Sequence, residues 1–149
     1  NDLAGAYMNR GTARRAGGDL SGALADVGQA IALMEGLRQR LGEEWPPAWA
    51  HDLAAAYMNR GIARKQAGNL AEAIEDWGAA AMIYLQRAQK GWLPAGADLL
   101  KATLWVFGGY RDLADWPSAA QCLWAFIEFY RQLEALWAEQ HSELVPYPT

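Results

Sequence analysis

Apolar residues recur along this chain at helical spacing, three and four apart, and nowhere with the alternation of a strand. Leu3, Ala6, Tyr7, Arg10, Gly11 and Arg14 fall on one face of a first helix. Gly17-Gly18 stops it, because glycine adopts the left-handed conformation that helix ends often need. Asp19 is a good N-cap for the next element. The stripe Leu20, Ala23, Val27, Ala30, Ile31, Met34, Leu37 and Leu41 predicts a helix over 20–41, ended by Gly42. Glu43 to Pro47 is a connector, since its two prolines bar helix continuation.

The same plan then returns. A helix is expected from Pro47 or Ala48 to Gly68, with proline tolerated in its first turn. Asn69 is the next cap, and Glu72, three residues on, completes the sequence of a capping box. That helix carries Leu70, Ala73, Ile74, Trp77, Ala80 and Tyr84 and ends near Gly91. A third pair follows Trp92-Leu93-Pro94, with Asp115 in the capping place and a last helix over about 116–140. Val145-Pro146-Tyr147-Pro148 reads as a non-helical tail.

The return is literal. Ala6-Tyr7-Met8-Asn9-Arg10-Gly11 recurs unchanged as Ala56-Tyr57-Met58-Asn59-Arg60-Gly61, a spacing of 50 (57 − 7). Aligning 2–30 on 52–80 gives 17 identities in 29 pairs. A weaker third copy maps onto the second at an offset of 46 (116 − 70), with Thr103-Leu104-Trp105-Val106-Phe107 in place of Tyr57 to Gly61. The expected architecture is all-α, a solenoid of three antiparallel helical hairpins, with units over about 1–44, 45–91 and 92–142 and a tail over 143–149. Because the chain opens inside the first helix of a unit, it reads as a fragment of a longer protein.

Composition narrows the function classes. The chain has 149 residues, 52% of them hydrophobic, and eight Trp, which is globular and large enough to fold without a metal or disulfide. A net charge of −4 predicts no strong attraction to nucleic acid or to an anionic membrane. No apolar run reaches membrane-spanning length. Cys122 is the only cysteine, which fits a reducing, cytoplasmic setting. His51 and His141 lack metal-spaced partners, the glycines punctuate helices and follow no strand, and no acid/base pair stands out. No cofactor and no enzyme activity is therefore expected.

Tyr7, Gly11, Gly18, Leu20, Ala23 and Ala30, matched by Tyr57, Gly61, Gly68, Leu70, Ala73 and Ala80 with Trp77, resemble the tetratricopeptide repeat. The period is longer than that family's usual 34 or so. The surplus lies in longer helices and the Trp-Pro connectors, as in the long-helix arrays of large bacterial proteins. The resemblance implies a right-handed superhelix whose first helices line a concave groove. Matched residue by residue, one groove row is Met8, Met58 and Leu104, a second is Thr12, Ile62 and Gly108, and a third is Arg15, Lys65 and Arg111. That makes an apolar floor with a basic edge, although Arg15, Lys65 and Arg111 read equally well as solvated charges. The family's carboxylate clamp wants Lys and Asn where Met8 and Thr12 stand, so chaperone-tail binding is disfavoured.

Gly11, Gly61, Ala23 and Ala73 are expected where paired helices approach closely, with Tyr7, Tyr57 and Trp77 filling the adjacent volume. Arg10 and Arg60 lie on apolar faces. They read either as anion ligands or as ion-pair partners of Asp26 and Asp76, and the pair is favoured because half-buried charges need partners. The third copy loses both members together, as Val106 and Cys122. Asn9 and Asn59 are expected to satisfy backbone groups of a neighbouring helix. The aromatics Trp124, Phe129 and Trp137 of the last helix cannot all face one partner helix, so some are expected to cover the end of the array with the Val145 to Pro148 tail and others to meet another subunit or a next domain. The expected function is a scaffold holding a protein or peptide segment, acidic where it meets the basic edge. The alternative is a structural spacer or self-association module.

Overall fold

Glycine, proline and capping side chains set the helix ends in the computed structural model, which describes residues 2–92 and 95–140. It contains α1 (Asp2–Ala16), α2 (Leu20–Leu41), α3 (Pro47–Gln66), α4 (Leu70–Gln89), α5 (Ala95–Asp112) and α6 (Trp116–Gln140), with no strand among the described residues. A 3-10 turn, Gly42–Glu44, links α2 to the prolines. Asp19 caps α2 by accepting a 2.8 Å hydrogen bond from the Gly22 amide, and Asp115 accepts one of 3.2 Å from Ser118 at the start of α6. The capping box expected at α4 does not form. Asn69 makes no side-chain cap bond, and Glu72 lies 3.2 Å from the Arg64 guanidinium instead.

The turns after α1 and α3 each need one residue in left-handed conformation. Gly18 and Gly68 supply it at φ of +86° and +87°. After α5 the same place falls to Ala114, at φ +57°, where an L side chain is strained. The tail containing Val145 to Pro148 lies outside the described residues.

Each helix packs on its neighbours in sequence: α1 on α2, α2 on α3, α3 on α4, α4 on α5 and α5 on α6. The shared core runs through all of them, with Met34, Leu53 and Trp77 the largest fully buried side chains. Small residues let the helices approach. A Cβ on Gly61 would lie 2.6 Å from Cδ1 of Trp77, and one on Gly11 2.8 Å from Cγ2 of Val27. Ala23 and Ala73 are buried in the same two crossings. Trp77 then carries the packing onward, its ring centroid 5.0 Å from that of Trp105 on α5. Truncating so enclosed a Trp costs about 3–5 kcal/mol. A further close approach had no counterpart in the repeat. Gly109 of α5 sits against Ile74 and Trp77, at the place equivalent to Ala63. No described helix is long and apolar enough to cross a membrane.

Candidate functional site

Two ion networks organise the interior edges of the first two units. Arg10 donates to both carboxylate oxygens of Asp26, at 2.8 and 2.6 Å. Arg60 holds Asp76 in the same fork, at 2.9 and 2.6 Å. Both aspartates are buried, so the pairing is between helices and nearly solvent-free on the acid side. Arg10 holds the Asp26 carboxyl below its ordinary pKa, and the guanidiniums of Arg10 and Arg60 are pushed up by their acids. Each arginine also stacks over its own tyrosine, Arg10 5.2 Å from the Tyr7 centroid and Arg60 5.4 Å from that of Tyr57. Arg10 and Arg60 are thus occupied internally, as the ion-pair reading expects.

Sequence reasoning missed the second arm of each network. Arg14 reaches Asp26 at 3.0 Å, and Arg64 reaches Asp76 at 2.8 Å and Glu72 at 3.2 Å. The signal was present, because Arg14 and Arg64 are themselves identical across the repeat. Tyr57 donates a 3.1 Å hydrogen bond to Glu35 of α2, tying the second unit to the first. Asn9 and Asn59 hydrogen-bond no backbone group among the described residues, so their expected role is not found.

The groove rows are only partly brought together. Met58 and Ile62 share a recess of about 210 Å³ with Asn59, Tyr84 and Lys101. Met58, however, is buried and belongs to the core, so the expected solvent-facing floor is wrong at that residue. It borders the same recess as Tyr84 of α4 and Asp98 of α5. Met8 is half-buried against the core, Thr12 is exposed, and Leu104 is 52% exposed in a separate recess with Leu100, Lys101 and Trp105. Lys101, which no row contained, therefore borders both recesses. His51 and Asp98, 3.7 Å apart, also line the first recess.

Two of the three cations of the basic edge share one carboxylate. Lys65 reaches Asp112 at 3.1 Å, and Arg111 reaches the same carboxylate at 2.7 Å. Both cations hold that carboxyl below its usual range. Arg15 is half-buried and makes no ion pair among the described residues.

The aromatic residues of α6 divide as their register requires. Phe129 joins the core, whereas Trp116, Trp124 and Tyr130 are 59, 67 and 50% exposed. The side chain of Trp137 lies outside those described. No group of three His, Cys, Asp or Glu among the described residues is placed to hold a metal ion. No family model, no curated protein and no solved structure matches the chain.

Proposed function

We propose that this chain is a non-catalytic scaffold, a right-handed, tetratricopeptide-like solenoid of three antiparallel hairpins of the long-period bacterial type. It holds a protein or peptide segment along α3 and α5 and works in the reducing cytoplasm. The observation that supports this most is the pair of adjacent recesses bordered by Ile62, Leu104 and Lys101. They combine exposed apolar surface with a cation, the pattern that suits an extended segment with an acidic residue. Lys101 takes over the part first given to Lys65 and Arg111, because Asp112 already engages those two. Affinity capture from the source cell tests the proposal. Ile62→Glu with Lys101→Glu should release the partner, whereas Trp124→Ser should retain it; equal retention by all variants would count against this surface.

A self-association module is the second reading, and the outer face of α6 favours it. Trp124, Ile127 and Tyr130 of α6 are exposed, whereas Tyr84, the α4 equivalent of Tyr130, is buried. An α6 face seated on the same face of another copy would be an isologous contact. Light scattering across a concentration series distinguishes the two: growth in mass that Trp124→Ser abolishes supports self-association, and a constant monomer mass excludes it.

A further inference from the structure

The third unit keeps the backbone plan of the second and discards its ion network as a set. In the second unit Tyr57 bonds Glu35, Arg60 and Arg64 both grip Asp76, and Arg64 reaches Glu72. The repeat offsets, 50 for α2 onto α4 and 46 for the rest, place Leu85, Thr103, Val106, Tyr110, Cys122 and Ser118 at those six positions. Five charged side chains have gone, and none has been replaced by a charge. All six replacements line one cavity of about 500 Å³ between α4, α5 and α6.

That cavity has two ends. Leu85, Leu99, Phe126 and Phe129 make an apolar end. Tyr110, Ser118 and Gln121, which flank the turn between α5 and α6, bring neutral hydrogen-bonding groups to the other. None of the residues around it is charged. Burial pushes the Cys122 thiol up, so it too stays neutral, and it lies 3.7 Å from the Thr103 carbonyl. A charged ligand would find no counter-ion here. An uncharged one with an apolar body would release water from the apolar end, and the volume is that of small-molecule sites.

We propose that this cavity is a binding site for an uncharged amphiphile, an aliphatic or aromatic body carrying one hydroxyl or amide head. The body lies against Leu85, Leu99 and Phe129, and the head faces Tyr110, Ser118 and Gln121. The site does not rest on the scaffold reading, since it shares no residue with the recesses beside Ile62 and Leu104.

The test uses the whole chain and N-phenyl-1-naphthylamine, a neutral probe that fluoresces in apolar surroundings. A saturable, one-to-one rise in the micromolar range is expected. Dodecan-1-ol should displace the probe at least tenfold more effectively than dodecanoate or dodecylammonium. Val106→Arg with Cys122→Asp transplants the Arg60–Asp76 pair and should weaken probe binding at least tenfold. Gly78→Leu gives a second route that does not depend on a buried ion pair. Gly78 lines the cavity, and a Cβ there meets nothing within 4 Å, so a side chain sets out into open space. It should keep the helical dichroism and lose the probe. Bound dodecan-1-ol should also slow alkylation of Cys122 severalfold. Non-saturable uptake by the wild type, equal displacement by the charged compounds, or unchanged binding by Gly78→Leu would overturn the proposal.

Discussion

Asp76 is gripped by Arg60 through two hydrogen bonds while Arg64 reaches its other side, so one buried carboxylate joins two cations of α3 to α4. Removing the acid strands both. Breaking a buried pair costs about 3–5 kcal/mol. With Arg60 and Arg64 still 21 and 22% exposed, Asp76→Ala should lie nearer the lower figure. Arg60→Val with Asp76→Cys copies the third unit and should recover part of that loss. A double-mutant cycle by urea denaturation measures the coupling, and strictly additive losses would contradict a direct contact.

Ala114 occupies the left-handed place that Gly18 and Gly68 fill in the first two turns. Ala114→Gly should therefore raise stability by about 1 kcal/mol, the usual cost of an L residue there. Gly68→Ala should lower it by a similar amount. Thermal melts check both, and a destabilised Ala114→Gly variant would show that the strain is absent.

Met58 and Ile62 sit four residues apart and border the same recess, yet Met58 is in the core and Ile62 is half-buried. Met58→Ala should lose about 2–4 kcal/mol through the cavity it leaves. Ile62→Ala should lose less than half as much. Near-equal losses would mean that Met58 faces solvent after all.

Acid should act through Asp26. Arg10 holds its carboxyl below the ordinary value, so protonation is easier in the unfolded chain. The pair's stabilisation is then complete above about pH 4, the unfolded value, and is lost as pH falls through the lower folded one. Melting temperature measured from pH 2 to 6 should drop on the acid side, and Asp26→Asn should flatten that drop. An unchanged acid limb in the variant would separate Asp26 from acid sensitivity.

Helix ends were legible because single residues decide them locally: Asp19 and Asp115 as caps, Gly18 and Gly68 in the turns, Pro47 at the first position of α3. The forks of Arg10 on Asp26 and Arg60 on Asp76 were legible for another reason, since the repeat shows which residues change together. What failed involved competition between neighbours. Glu72 had two partners in reach and took Arg64 over the cap of α4. The basic edge was read as a row of separate charges, and Asp112, adjacent to Arg111 in the chain, draws two of them together from the side. Met58 could be placed only once α4 and α5 had closed around it.

Photo-crosslinking tests the scaffold reading most directly. A p-benzoylphenylalanine placed at Ile62, at Leu104 or at Trp124 is irradiated in extract of the source cell, and the adducts are mapped by mass spectrometry. Adducts to one partner from both Ile62 and Leu104, and none to it from Trp124, are expected. Adducts from Trp124 alone would contradict the groove and move the binding surface to the exposed face of α6.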